Sequence, residues 1–93
     1  MAIKSFKCKH TEALFEGGKP KQFKNMEFVA ERKLQMLDAT VELKDLRSPP
    51  GNRFEALAGN RKGQYSIRIN DQWRICFVFK DGHFIDVEIV DYH

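Results

Sequence analysis

The feature that most restricts this chain is a pair of alternating apolar and polar runs, Gln64 to Ile69 and Gln72 to Lys80, with almost nothing between them. Successive side chains of a strand point to opposite faces. Tyr65, Ile67 and Ile69 therefore share one face, and Trp73, Ile75, Phe77 and Phe79 share one on the next strand. The two sets lie together only if the hairpin turns through Asn70, Asp71 and Gln72, which pairs Ile67 with Ile75. A two-residue turn would set Ile67 opposite Arg74 and mix the faces, and burial of one face disfavours such a slip. The opposite face then carries Gln64, Ser66 and Arg68 beside Arg74, Cys76 and Val78, with Arg68 directly across from Arg74.

Two further runs extend the hairpin into a meander of strands. Arg53 to Ala58 precedes it. Phe84 to Val90 follows through Asp81-Gly82-His83 and adds Ile85, Val87 and Ile89 to the apolar face. Upstream, Ala2 to Phe6 reads as a short strand able to pair with one edge of the meander. His10 to Glu16 reads as a short helix ended by Gly17-Gly18, and Lys19 to Lys21 as a polar connector. Phe23, Met26, Ala30, Leu34, Leu37 and Val41 recur at spacings of three and four, which predicts an amphipathic helix over roughly Phe23 to Leu43. Ser48-Pro49-Pro50-Gly51 breaks the chain after it. Helices first and strands after give an α+β domain, two N-terminal helices on one face of a mainly antiparallel sheet, with the N-terminal strand pairing with the C-terminal meander. At 93 residues, with neither repeat nor linker, residues 1–93 read as one domain with one modest core.

Composition narrows the function classes. A hydrophobic share of 42% and a charged share of 31% exclude a disordered chain. The formal charge of +3 permits a polyanionic partner without demanding one. The two cysteines, Cys8 and Cys76, stand too far apart for a CxxC or Cys/His metal pattern, and Cys76 reads as a small sheet residue. No cofactor motif is present. No signal peptide and no apolar run of membrane-spanning length is visible, so a cytoplasmic protein with reduced thiols and no membrane partner is expected.

Candidate chemistry gathers on the polar face. Like charges directly opposite on neighbouring strands destabilise a sheet by a few tenths to about 1 kcal/mol. A face that keeps Arg68 against Arg74 is suited to hold an anion, because guanidinium forks bond two phosphate oxygens at once and stay charged. The same pair can equally be two solvated arginines, or arginines bonded to Glu88 or Glu55. The glycine-flanked turn Gly59-Asn60-Arg61-Lys62-Gly63 places Arg61 and Lys62 beside this face. The sequence closes on Asp91-Tyr92-His93, an acid, a phenol and an imidazole that suits proton transfer near neutral pH.

Taken in order, Ile3-Lys4-Ser5-Phe6, Leu14-Phe15-Glu16, Gly63-Gln64-Tyr65-Ser66-Ile67-Arg68-Ile69, Gln72-Trp73-Arg74-Ile75 and Asp91-Tyr92-His93 resemble HigB-type toxins of the RelE/ParE superfamily from type II toxin–antitoxin systems. The resemblance spans essentially the whole chain. It implies helices packed on a curved, RelE-like sheet. It implies a ribosome-dependent mRNA interferase that cleaves messenger RNA in the ribosomal A site and so inhibits translation and growth. It also implies neutralisation by a HigA-type helix-turn-helix antitoxin, with operator DNA contacted only through that antitoxin. By position, Arg74 matches the family's phosphate-contacting arginine, and Asp91, Tyr92 and His93 match active-site residues. Some members carry a histidine and a lysine in the strand where this chain has Glu55 and Ala58. Either Glu55 takes over proton transfer or that part of the constellation is missing.

The chemistry expected from these residues is attack of the RNA's own 2′-OH on the adjacent phosphorus. It calls for no metal, because the substrate carries the nucleophile. Arg74, helped by Arg68, stabilises the phosphorane charge. His93 serves as acid or base. Tyr92 stacks on a base or orients the 2′-OH, and Asp91 positions its neighbours. Arg61 and Lys62 add contacts to phosphate or ribosomal RNA. Two other readings stay open from sequence: a toxin on the same scaffold that poisons gyrase, and an inactive module that only binds its antitoxin.

Overall fold

The hairpin forms in the register that its alternation requires. β2 (Tyr65–Arg68) and β3 (Trp73–Lys80) run antiparallel, with Ile67 opposite Ile75 and Arg68 opposite Arg74. Asn70 closes the turn: its Oδ1 accepts from the N–H groups of Gln72 and Trp73, each at 2.8 Å. β4 (His83–Asp91) pairs with the far side of β3, and β1 (Glu55–Ala56) pairs with the near side of β2. The result is a four-stranded antiparallel sheet in the order β1-β2-β3-β4. The structure is a computed structural model and describes residues 2–91.

Between β3 and β4 the chain reverses through Asp81 and Gly82 alone, both at positive φ (53° and 80°), and Lys80 pairs with His83. That is the two-residue turn whose twist matches the strands it joins, so His83 belongs to the strand rather than to the turn. The apolar face of β4 differs from strict alternation. Cys76 pairs with Glu88 but Val78 pairs with Ile85, so two residues of β4, Asp86 and Val87, oppose Phe77 alone. Asp86 takes φ 53° to make this bulge. Phe84 rather than Ile85 therefore joins Val87 and Ile89 in the core, and Ile85 is only half-buried.

The expected strand Ala2 to Phe6 is reduced to two isolated parallel bridges, Ile3 to Phe84 and Phe6 to Val87. It still docks on β4: Lys4 N–H donates to the Phe84 carbonyl at 2.8 Å, and Ser5 Oγ accepts from the Asp86 N–H at 2.9 Å. The first helix, α1, spans Lys9–Phe15. Gly17, at φ 97°, ends it, with its own N–H on the Leu14 carbonyl and the Gly18 N–H on that of Ala13. This is the left-handed helix stop for which glycine has no steric penalty. Buried Thr11 ties α1 to the sheet, its hydroxyl oxygen accepting from the Ile89 N–H at 3.0 Å.

The second helix, α2, is shorter than its apolar stripe suggests, Glu27–Ala39 instead of Phe23 to Leu43. Phe23 lies in a separate 3-10 turn (Lys21–Phe23), and Met26 has a non-helical φ of −136°. At the other end Thr40 is extended, its hydroxyl bonding back to the Met36 carbonyl, which leaves Val41 exposed. Within α2, Ala30, Leu34 and Leu37 are fully buried against Ile67, Ile75, Phe77, Phe84 and Val87. Two more 3-10 turns, Leu43–Arg47 and Pro50–Asn52, connect α2 to the sheet. The expected strand Arg53 to Ala58 shrinks to Glu55–Ala56 because Arg53 sits in the left-handed region (φ 43°) and cannot continue a ladder. Cys76 is buried in the sheet and Cys8 is half-exposed. No helix among the described residues is long and apolar enough to cross a membrane.

Candidate functional site

With the helices on one face of the sheet, the other face carries the charged side chains. Arg74 is the least exposed of its ion-paired arginines. Its Nε donates to Ser66 Oγ at 2.8 Å and its Nη2 to the Arg53 backbone carbonyl at 2.7 Å; Nη2 also lies 3.4 Å from Glu55 Oε1. Each partner comes from a different place: Ser66 from β2, Glu55 from β1, Arg53 from the residue that enters β1. The Arg74 side chain is only 12% exposed whereas that of Glu55 is 52% exposed. The guanidinium thus bonds two uncharged acceptors, and its carboxylate partner is the more exposed member of the pair.

Arg68, directly opposite, turns away from Arg74 and pairs with Asp71 in the hairpin turn, whose side chain is fully exposed. The repulsion expected in this register is relieved by giving each arginine its own carboxylate. Arg61 joins the same face in a different role. Its Nη2 reaches Glu88 Oε1 at 3.2 Å and its Nη1 donates to Gln64 Oε1 at 3.0 Å, while Lys7 approaches the other Glu88 oxygen at 3.8 Å. Arg61 is therefore tied to the sheet, whereas Lys62 beside it is exposed.

Of the closing residues, Asp91 is described. It pairs across the ladder with Trp73, one register step from Arg74, and its Oδ2 accepts from Gln72 Nε2 at 3.1 Å. Tyr92 and His93, both expected at the site, lie outside the described residues.

Several contributors escaped the sequence reading. Ser66 was assigned to the correct face but not recognised as a partner of Arg74, although alternation alone puts its hydroxyl there. The Arg53 carbonyl had no signal, because a left-handed arginine is set by its surroundings. Nor was the cation Lys33 on α2 foreseen. Its Nζ donates to Oδ1 of buried Asn52, and burial, then Arg32 and Arg68, lower its pKa from the usual lysine value. Beside β1 an open groove of about 700 Å³ is lined by Lys44, Arg47, Arg53, Phe54, Glu55 and Tyr65, among others. Phe54 stacks on Tyr65 in its wall, with centroids 5.5 Å apart and planes at 13°. Arg53 and Glu55 belong both to this groove and to the surroundings of Arg74, so the two are continuous. Among the described residues no group of three or more His, Cys, Asp or Glu side chains could hold a metal ion.

Comparison with known proteins gives consistent matches. Residues 4–93 match the family model described as the RelE-like toxin of type II toxin–antitoxin system HigB. The chain is 48% identical over 82 residues to Toxin HigB-1 of Vibrio cholerae serotype O1, covering 83% of each protein. It is 35% identical over 95 residues to Endoribonuclease HigB of Proteus vulgaris, covering 98% of this chain and 99% of that protein. Among solved structures, the YoeB of a Staphylococcus aureus YoeB–YefM complex aligns with a TM-score of 0.63 at 18% identity, over 100% of this chain and 99% of that one. YafQ from E. coli aligns with a TM-score of 0.60 at 13% identity, over 96% and 92%. At those identities the likeness is one of fold.

Proposed function

Because the chain belongs to the HigB-like family of RelE-like toxins of type II toxin–antitoxin systems, we propose that it is a ribosome-dependent endoribonuclease that cuts messenger RNA in the A site. The observation that carries this reading is the Arg74 guanidinium, largely buried and fixed by Ser66 and Arg53 on the polar face of a toxin fold. A preorganised cation of this kind is worth most where charge develops during reaction, and costs no reorganisation at that moment.

The reaction has three demands: a proton leaves the 2′-OH, the phosphorane charge is stabilised, and the departing 5′ oxygen is protonated. Arg74 meets the second, with Arg68 adding positive field. His93 supplies acid or base, Tyr92 stacks on a base or orients the 2′-OH, and Asp91 positions them. Glu55, 3.4 Å from Arg74 and half-exposed, is the proposed alternative proton acceptor. The basic and aromatic groove beside β1 suits the flanking strand, since unpaired bases stack on aromatic rings while cations track the phosphates. Lys62 is free to contact phosphate or ribosomal RNA; Arg61 reaches it only by leaving Glu88.

An antitoxin partner follows from the family, and we assign it to the HigA type, a helix-turn-helix protein that blocks the toxin and alone touches operator DNA. The decisive experiment is cleavage of a defined message on purified ribosomes, with a 2′-deoxy sugar at the cut site as control. In-frame cuts ending in a 2′,3′-cyclic phosphate, abolished by the deoxy sugar, are expected. Continued cutting of the deoxy substrate would refute the chemistry. Intact messages together with a DNA-damage response in cells would point instead to gyrase.

A further inference from the structure

The Arg53 carbonyl that receives Arg74 belongs to a residue with φ 43° and ψ 52°. A residue with a Cβ adopts this region only where its surroundings enforce it. Those surroundings centre on Asn52. Its backbone N–H donates to the Pro49 carbonyl at 2.9 Å, and the Arg53 N–H donates to that of Pro50 at 3.1 Å. The Asn52 side chain is fully buried. Its Nδ2 donates to the Leu46 carbonyl at 3.2 Å and to the Ser48 carbonyl at 3.3 Å, and stands 3.8 Å from Met36 Sδ. Its Oδ1 accepts from Lys33 Nζ. Both amide donors and the acceptor are thus engaged, and they join three stretches of chain: α2, the turn Leu43–Arg47 and the turn Pro50–Asn52.

We propose that Asn52 is a positioning residue for Arg74: by locking the connector to α2 through Lys33, it fixes where the Arg53 carbonyl stands and so how the guanidinium is aimed. This rests on Arg74 being the phosphate-stabilising group. Ser66 reaches Arg74 at Nε and Arg53 reaches it at Nη2, so two contacts on different nitrogens set the plane of the fork. Ser66 is held by the ladder of β2 and β3. Arg53 lies outside every strand, and its place depends on the Asn52 lock.

The test compares Asn52→Ala, Lys33→Met and Arg74→Ala, singly and combined, by kcat and KM for ribosomal message cleavage and by the NMR signal of the Arg74 Nη2–H that meets the Arg53 carbonyl. Asn52→Ala should lower kcat on the order of tenfold to a hundredfold, the usual effect of misplacing a reacting group by about 1 Å, with KM little changed. The Arg74 Nη2–H signal, set by the bond to the Arg53 carbonyl, should shift while the Nε–H signal, set by Ser66, and the backbone amide spectrum stay native. In the Arg74→Ala background, Asn52→Ala should cause no further fall, because the two act through one group. Lys33→Met should move kcat and the Nη2–H signal the same way, by less. An unchanged Nη2–H signal in folded Asn52→Ala overturns the proposal, as do losses that multiply with those of Arg74→Ala. If Asn52→Ala does not fold, Lys33→Met decides, and wild-type kcat with an intact signal overturns it. Wild-type cleavage by Arg74→Ala would instead defeat the role of Arg74 as the phosphate-stabilising group, while the NMR comparison still judges the positioning.

Discussion

Replacing Arg74 by lysine and by alanine separates what its charge does from what its fork does. Alanine removes both. Loss of one preorganised donor to a developing oxyanion costs about 2.7–4 kcal/mol, or roughly 10²–10³ in kcat. Lysine keeps the charge, but its single nitrogen cannot reproduce the bonds now made by Nε to Ser66 and by Nη2 to Arg53. Each such bond to a charged donor is worth about 1.5–3 kcal/mol. Losing even one of them frees the cation from its aim, so Arg74→Lys should be slower than wild type by at least about tenfold. Stability must be tracked in parallel, because Ser66 is fully buried and loses its partner. An unsatisfied hydroxyl costs about 1–3 kcal/mol, and each kcal/mol lowers Tm by roughly 4–8 °C in a domain of this size. The assay is single-turnover cleavage on programmed ribosomes, at a temperature where thermal melts show both variants folded. An alanine variant keeping more than about a tenth of the wild-type rate contradicts the magnitude expected for an oxyanion donor. A lysine variant as fast as wild type would reduce Arg74 to a source of field, and the geometry of its cradle would lose its meaning.

Four further expectations concern other residues. Glu55→Gln should lower KM for RNA by removing the carboxylate that competes for Arg74, and it should lower kcat as well only if Glu55 is the general base; a pH–rate profile that loses its acidic limb would assign that role. Deleting His93 should abolish growth inhibition while the antitoxin still binds in a pull-down, and full toxicity would remove His93 from the chemistry. Thr11→Val leaves the buried Ile89 N–H without its acceptor, and calorimetry should register a loss of about 1–3 kcal/mol; an unchanged Tm would mean that the amide finds another partner. Lys33, whose pKa is lowered on folding, binds its proton more weakly in the folded chain, so stability should rise with pH between its folded value and the ordinary lysine value. Denaturant titrations of wild type and Lys33→Met should converge or diverge across that window by this one group, and identical pH dependence would show that its burial is not felt.

Much of the sheet was legible because alternation is a strong constraint. Ile67 and Ile75 can share a face in only one short-turn register, and that register alone puts Arg68 against Arg74. The errors arise where a single backbone conformation overrides the pattern. Met26 and Thr40 interrupt a stripe that continues on either side of α2, and Val41 fits the spacing yet faces solvent. Asp86 at positive φ inserts a residue into β4, and Phe84 takes the place that strict alternation assigned to Ile85. Arg53 at positive φ cuts a six-residue expectation down to β1. None of these four conformations can be read from residue type alone. The site divides in the same way. Arg74 was visible through a like-charge clash on one face, whereas its Arg53 acceptor and the Asn52 lock exist only through tertiary contacts. The roles given to Tyr92 and His93 come from the family resemblance.

The cradle around Arg74 also accounts for how a sheet tolerates two opposed arginines and still offers them to an anion. Each guanidinium is neutralised by a carboxylate on its solvent side, Asp71 for Arg68 and Glu55 for Arg74, and these are the more exposed partners of their pairs. Exposed ion pairs contribute about 0–1 kcal/mol, so their loss to an incoming phosphate is a small penalty. The contacts that set direction are the others, a buried hydroxyl and a backbone carbonyl. Had the carboxylates been buried behind the arginines, the pairs would have been strong and the cations closed to substrate. Because neutral acceptors orient Arg74 and the more exposed Glu55 pairs with it, repulsion is quenched in the free protein and, under the proposed function, the same positive charge is offered to the RNA phosphate.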